Sequence, residues 1–480
     1  MRNSVKKFRD IGNEINENQS KVKEWKKVVD LDMEVEHFSP ACCFSNKKIL
    51  MPINIPETGQ KRVVIVGAGF AGLKLARKLK DSNCQLVLID RNNYHQFQPL
   101  FYQVASSGLE PSAISFPLRK VFQKEKNVYV RVTQVTDIDP ANKKIHTPMG
   151  HVWYDALVIA TGATTNYFGM EGIIKHGIPM KSVSEAVYLR NTLLLNFEKA
   201  VTLRDRKALE ALLNVVVVGG GPTGVEVCGA ISEMKRFVLP KDYPDINFDL
   251  MQITLIEANP HLLHGMSKES GTKAEYYLKK MGVNVMLNHR VTGYDGQTIT
   301  LEDDSQLLAE TLVWAAGVRG QVPDGVDPAF MARGNRIKVN RFNEVEGLDG
   351  VFAIGDIAYM ETPNYPNGHP QVAQVALQQA VNLGDNLQRE AHGKVRSPFE
   401  YHDKGSMATV GRNRAVVDLP FWHFTGVFAW IVWMFVHLMS IVGVKNRLLV
   451  FINWVWKYFT FDQSLRLILR PSRKAQERPL

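Results

Sequence analysis

Residues 61–90 read KRVVIVGAGFAGLKLARKLKDSNCQLVLID, and this stretch decides the fold. An apolar run at 63–66 breaks into GAGFAG at 67–72, an amphipathic helical pattern follows, and a second apolar run at 86–89 ends on Asp90. The reading is strand, tight turn, helix, strand, acid. Gly67 makes the turn, Gly69 lets a pyrophosphate lie against bare backbone at the helix N-terminus, and Gly72 lets helix and strand pack closely. Phe70 and Ala71 open the helix over that site, and Asp90 stands where a ribose hydroxyl needs an acceptor. A glycine turn by itself is weak evidence. Two flanking strands and the terminal acid turn it into a dinucleotide-binding unit.

The plan recurs further along. Residues 214–218 form a β-branched strand, 219–224 read GGGPTG, a helical pattern follows, and the apolar run 253–256 ends on Glu257. Gly219, Gly221 and Gly224 repeat the three glycine positions, with Thr223 in the same turn, and a polar insert at 235–249 lengthens the spacing to the acid. The first unit closes on DALVIATG at 155–162, ending in Thr161 and Gly162; the second closes on TLVWAAG at 311–317, ending in Ala316 and Gly317. The offsets, 219 − 67 = 152 and 317 − 162 = 155, nearly agree, so one architecture is used twice. Two dinucleotide sites in one chain imply electron transfer between two dinucleotides.

After the second unit, GVFAIGD at 350–356 is a further apolar strand ending in Gly355 and Asp356. Its position predicts a return of the chain to the first domain, where Asp356 accepts from a hydroxyl near the pyrophosphate. In the helical pattern that follows, Gln374 and Gln378 share a face, with Ala373 and Ala376 small enough to admit a planar ring. The mixed aromatic and amide segment 92–111 suits the wall of a pocket for a flat ring.

A chain of 480 residues fits about three domains. Its four cysteines include no CxxC; Cys84 and Cys228 fall inside the two repeated units and read as small buried hydrophobes, which argues for a reducing compartment and against dithiol chemistry. The histidines, His95, His289 and His437 among them, have no ligand spacing, so no metal is expected. The net charge of +10 is concentrated after Lys445, beside an apolar stretch, and so points to a membrane surface rather than nucleic acid. Residues 1–50 are polar, with neither a secretory core nor a transit-peptide composition; they read as a peripheral extension or an over-long gene start.

Residues 420–444 contain no Lys, Arg, Asp or Glu, long enough for a transmembrane helix. Trp422, Trp430, Trp433, His423 and His437 are scattered through that run. Beyond it, Lys445, Arg447, Lys457, Arg466 and Arg470 interleave with Trp454, Trp456, Tyr458 and Phe459, as on a basic amphipathic surface lying on anionic lipid. Composition alone leans toward a single span.

The two fingerprints, the Gly355–Asp356 turn, the Ala-Gln-x-Ala-x-Gln helix and the apolar C-terminus together resemble the type II NADH:quinone oxidoreductases, single-chain respiratory enzymes that do not pump protons. The match runs over about residues 61–471. The resemblance implies an α/β fold of two Rossmann-like domains, the NADH domain inserted into the FAD domain, with a C-terminal helical membrane-binding segment. It assigns non-covalent FAD to Gly67, Gly69, Phe70, Ala71, Gly72, Asp90, Thr161, Gly162, Gly355 and Asp356. NADH as substrate falls to Gly219, Gly221, Thr223, Gly224, Glu257, Ala316 and Gly317. Glu226 is implied beside the flavin and nicotinamide, and Gln374 and Gln378 on the quinone side. The expected division is a polar extension (1–59), an FAD domain in two parts (60–182 and 319–405), an NADH domain (183–318) and a membrane-anchoring region (406–480). The resemblance moves the C-terminus from a span toward in-plane attachment on the NADH-containing, cytoplasmic face, and is compatible with a homodimer.

Independently of the resemblance, Glu257 is followed by Ala258 and Asn259 with no Arg to pair a 2′-phosphate, which favours NADH over NADPH. A flavin-dependent disulfide reductase or a sulfide:quinone oxidoreductase would need cysteines near the flavin that this chain lacks. An NADH-binding flavoprotein acting as a sensor or assembly factor is the reading from a different class.

Overall fold

The computed structural model describes residues 52–461 and 465–468; the expectations for residues 1–50 and for Arg470 fall outside them. The first glycine turn joins β1 (Lys61–Val66) to α1 (Phe70–Leu79), and β2 (Cys84–Asp90) follows. β3 (Val128–Val132) and β4 (Ala156–Ile159) extend the unit. The second unit contains β5 (Ile178–Pro179), α2 (Val183–Ala200), β6 (Val215–Val218), α3 (Pro222–Phe237) and β7 (Ile253–Glu257). It continues through α4 (Lys268–Lys280), β8 (Val283–Leu287) and β9 (Thr311–Trp314). The chain then forms β10 (Val351–Ala353) and α5 (Ala373–Ala391).

Two parallel five-stranded sheets result, ordered β10-β4-β1-β2-β3 and β5-β9-β6-β7-β8. They are copies: β1 and β6 are central, each flanked by the strand bearing the acid and the strand that closes the unit. Their near-continuous apolar runs are buried on both faces, as parallel strands covered by helices require. The outer strand shows the insertion. β10 pairs with β4 in parallel, so the first sheet is completed only after the whole second sheet has been built. The strands Ala163–Thr165 and Val318–Gly320, at the two crossings between units, pair antiparallel.

Cys84 and Cys228 are buried free thiols. The insert at 235–249 is polar in sequence but anchored, with Ile246 and Phe248 buried in the core and Lys235 Nζ donating to the Met251 carbonyl at 2.7 Å.

The C-terminal region holds the expected helices, preceded by a small sheet. A three-stranded antiparallel sheet, β11 (Ser406–Thr409), β12 (Ala415–Leu419) and β13 (Trp422–Thr425), precedes α6 (Val427–Ser440) and α7 (Val444–Thr460). The charge-free run 420–444 is therefore part strand, part helix, broken by Gly426 at φ +92° and Gly443 at φ +88°. The 14 residues of α6 cover about 21 Å of a hydrocarbon layer about 30 Å thick. Among the described residues no helix is long and apolar enough to cross a membrane, so the single-span reading fails.

Candidate functional site

The two glycine turns are built alike. Gly67 has φ +101°, and a Cβ there would stand 2.3 Å from the Ala160 carbonyl oxygen; Gly219 has φ +110°, and its Cβ would stand 2.6 Å from that of Ala315. A Cβ on Gly72 would meet the Gly67 carbonyl at 1.8 Å, and one on Gly224 the Gly219 carbonyl at 1.9 Å. These four positions hold the strand, turn and helix together. Gly69 and Gly221 differ, since a Cβ on either meets nothing within 4 Å. Their bareness serves no packing need, which leaves the approach of another molecule as its physical reason.

The acids match too. Asp90 accepts from the Ala68 and Asn92 backbone N–H groups, each at 2.7 Å. Glu257 accepts from the Gly220 N–H at 2.6 Å and the Asn259 N–H at 2.7 Å. Each carboxylate pins the middle of its own turn and retains lone pairs for a hydroxyl. Burial raises Asp90 above the usual carboxylate range, and the two backbone bonds oppose that rise.

A cavity of about 620 Å³ opens along the first turn. Gly67, Gly69, Phe70, Ala71, Asp90, Thr161, Gly162, Gly355 and Asp356 all line it, while Gly72 sits behind the turn. Two polar groups in the wall lack protein partners. Thr161 Oγ is buried without a hydrogen bond, and no protein donor among the described residues reaches the Asp356 carboxylate. Burial raises Asp356, with Lys181 and Arg336 opposing. A turn of bare backbone, a hydroxyl without a partner and a carboxylate open to a hydroxyl fit the pyrophosphate and polyol of FAD.

Gly355, at φ +78°, is wedged between α1 and α5: a Cβ there would lie 3.2 Å from that of Ala71 and 3.4 Å from that of Ala376. Small residues are needed on both helices for this reason. The Gly355 N–H donates at 2.7 Å to Oε1 of Gln379, a buried glutamine that the sequence pattern did not single out.

The same cavity reaches the second unit and the C-terminus. Pro222, Thr223 and Glu226, from the first turns of α3, form one part of the wall, and Val436, His437 and Ser440 of α6 another. Gly219, Gly221, Gly224, Glu257, Ala316 and Gly317 lie outside it, around the ends of β6, β7 and β9. Glu226 is 7% exposed, and its Oε1 accepts one long bond, 3.4 Å, from the Thr409 N–H. Burial pushes its carboxyl up to about 8. Burial holds His437 down to about 4, so its ring is neutral; Nδ1 lies 2.8 Å from the Trp433 carbonyl and the two rings stack at 4.1 Å.

Gln374 and Gln378 share a helix face but differ in place. Gln374 lines the cavity and Gln378 does not. Both amides brace the segment 402–405: Gln374 donates to the Gly405 carbonyl at 2.6 Å and accepts from the Lys404 N–H at 3.0 Å, and Gln378 does the same with the His402 carbonyl and N–H at 2.8 and 3.0 Å. The segment 92–111 supplies Tyr94, Phe97, Phe101 and Tyr102 to the wall. Behind it, His95 Nδ1 lies 3.0 Å from the Ala68 carbonyl and steadies the first turn. Among the described residues no group of His, Cys, Asp and Glu could hold a metal ion.

Comparison with known proteins gives this geometry its context. The family model for pyridine nucleotide-disulphide oxidoreductases matches residues 61–380, and that for the NDH2 C-terminal domain matches 403–461. The type II NADH:quinone oxidoreductase Ndh of Mycobacterium tuberculosis is 36% identical over 408 residues, covering 82% of this chain and 87% of its own. The type II NADH:quinone oxidoreductase of Staphylococcus aureus is 30% identical over 364 residues, 74% of this chain and 89% of its own. The solved structure of NDH2 from Plasmodium falciparum in complex with NADH superposes with a TM-score of 0.78 at 22% identity, covering 86% of this chain and all of that one, a likeness of fold. With the paired turns, the shared cavity and the C-terminal module all present, the chain belongs to the type II NADH:quinone oxidoreductases.

Proposed function

We propose that the chain carries two electrons from NADH through FAD to a membrane quinone, without moving protons across the bilayer, using a cavity that joins both nucleotide-binding units to the C-terminal helix. That continuity is the observation that carries the reading: Gly69 and Asp90, then Thr223 and Glu226, then His437 and Ser440 border the same space. When bound, FAD would supply the two-electron redox chemistry between nicotinamide and quinone. The first turn, Thr161 and Asp356 hold its phosphates and hydroxyls. Gly221 admits the NADH pyrophosphate, and Glu257 accepts from the ribose while repelling a 2′-phosphate. Glu226 is protonated near neutral pH and donates a hydrogen bond from the cavity wall to a carbonyl or amide oxygen. Gln374 and Gln378 serve the quinone side by bracing 402–405, Gln374 from within the cavity wall and Gln378 from outside it.

The bilayer supplies the quinone along α6 and α7. Phe428, Ile431 and Phe435 on one helix and Leu448, Ile452 and Trp456 on the other are exposed at helical spacing. Their partners on the opposite faces, Trp433, Val450 and Trp454, are buried in the core. Helices lying in the plane of one leaflet satisfy both faces at once. NADH then enters from the aqueous, cytoplasmic side.

Stopped-flow spectroscopy tests the reading. NADH should bleach the flavin, a short-chain quinone should restore it rapidly, and NADPH should give a much lower kcat/KM than NADH. Bleaching by NADH with reoxidation too slow to sustain turnover would instead identify a redox sensor.

A further inference from the structure

We infer that helix α4 of the NADH-binding half is a second membrane contact, a lysine and tyrosine strip that takes anionic phospholipid headgroups beside the apolar face of α6. The inference rests on the in-plane attachment proposed above. It adds a contact outside the C-terminal region, on the NADH-binding half.

Position comes first. The start of α4 is fastened to the C-terminal sheet by Asp418, whose carboxylate accepts from the Ser267 N–H at 2.6 Å, the Ser267 hydroxyl at 3.1 Å and the Ser270 hydroxyl at 2.6 Å. The helix therefore keeps a fixed place against β12. Further along, the Tyr277 hydroxyl lies 3.8 Å from where a Cβ on Gly426 would stand, and Gly426 is the N-cap of α6. Next to that cap, Trp422, Phe424 and Phe428 form a ring cluster with centroids 4.5 to 6.4 Å apart, and Trp422 and Phe428 are each more than half exposed. Tyr277 thus places α4 beside the N-cap of α6, next to that exposed cluster.

Chemistry points the same way. Lys273, Tyr276 and Lys280 follow one another at spacings of three and four, on one face. Tyr276 is 53% exposed. The Lys273 ammonium lies 5.1 and 5.2 Å from the ring centroids of Tyr276 and Tyr277, and that of Lys280 lies 6.0 Å from Tyr276. Neither lysine forms an ion pair among the described residues, whereas Lys279, at the edge of that face, is held by Glu275 at 2.6 Å. Tyrosines at the headgroup level with lysines able to extend beyond them are the chemistry of a membrane rim. The neighbouring module adds to the field: between residues 403 and 461, Lys404, Arg414, Lys445 and Arg447 stand against Asp403 and Asp418, of which Asp418 is already occupied, while Arg412 and Lys457 face Glu233.

The test is vesicle partitioning of the full-length flavoprotein on phosphatidylcholine alone and on phosphatidylcholine mixed with phosphatidylglycerol. Wild type should bind both and prefer the anionic vesicles, with the preference falling as salt is raised. The double variant Lys273→Gln/Lys280→Gln should lose about thirtyfold of that preference, about fivefold per lysine, while binding neutral vesicles as before. Lys279→Gln should retain the full preference. Bleaching of the flavin by NADH, unchanged in all three proteins, shows that the fold is intact. An anionic preference that survives in the double variant overturns the inference, as does an equal loss on both vesicle types. Failure of wild type to bind any vesicle would instead overturn the attachment reading on which it rests.

Discussion

Replacing Glu226 with Gln should remove a pH dependence that its burial creates. The carboxyl is displaced from 4.5 to about 8 by desolvation, with only the long Thr409 N–H bond opposing. At about 1.4 kcal/mol for each tenfold change, that displacement favours the protonated form by about 5 kcal/mol. At about pH 7 the group is then about 90% protonated. The sign is fixed by linkage. Below 4.5 the folded and unfolded chains both hold the proton; as pH rises toward about 8 the unfolded chain ionises while the folded one does not, so stability falls across that window. Glu226→Gln preserves the shape and a donor but cannot ionise.

Two readouts follow. The rate of flavin reduction by NADH should inflect near pH 8 in wild type and be flat there in the variant. The unfolding free energy of the variant should gain on that of wild type as pH rises from about 5 to about 8, by about 3–4 kcal/mol across that window. Wild-type and variant profiles that run parallel in both assays would refute the argument, because they would mean that Glu226 is ionised throughout and its burial is compensated.

Gly221→Ala should fold normally, since its Cβ meets nothing within 4 Å, yet raise KM for NADH at least about tenfold in steady-state assays; Gly224→Ala, driven to 1.9 Å from a backbone carbonyl, should lower the denaturation midpoint. Gly69→Ala should leave the unfolding free energy of the apoprotein within about 0.5 kcal/mol of wild type while weakening FAD retention on gel filtration. The pair Ile431→Asp/Phe435→Asp, both on the exposed face of α6, should release the protein from membranes in a flotation assay without changing flavin reduction by NADH. Gln379→Leu removes the acceptor for the buried Gly355 N–H and should cost about 1–3 kcal/mol of stability together with weaker FAD binding, measured by flavin fluorescence on dilution.

What was legible in the chain is what local spacing dictates. A turn whose glycines must avoid carbonyls at 1.8 to 2.6 Å tolerates no other residue, so 67, 72, 219 and 224 announce themselves. The acids lie at the ends of strands next in sequence, and their bonds back to the turns span only 22 and 37 residues. The return of the chain at 350–356 could be read because the strand and its Gly355–Asp356 end lie within seven residues.

The rest depends on partners that periodicity does not reveal. Helical spacing correctly put Gln374 and Gln378 on one face, but a face has meaning only through what lies opposite, and here that is the backbone of 402–405 for both. The glutamine that fixes the cofactor turn is Gln379, one residue on and about 100° around the helix, its target chosen by the approach of α5 to Gly355. The C-terminal run misled for a related reason. Counting charges over 420–444 measures transfer free energy but ignores backbone continuity, and Gly426 and Gly443, both at positive φ, divide it into a strand and two helices. Once divided, neither helix can bury itself in lipid, and each needs the protein on one side. Trp454 donates to Gln103 at 2.7 Å, and Asn446 donates to the carbonyls of Ser112 and Ala113 at 3.1 and 3.0 Å. These bonds fasten α7 to the FAD-binding half, so the exposed apolar surface and the wall of the cavity are two sides of the same module. Removing residues 421–480 would therefore strip Trp433 and Trp454 from the core as well as the exposed apolar face, so substitutions confined to the exposed side of α6 and α7 are the ones that test the proposed attachment apart from electron transfer.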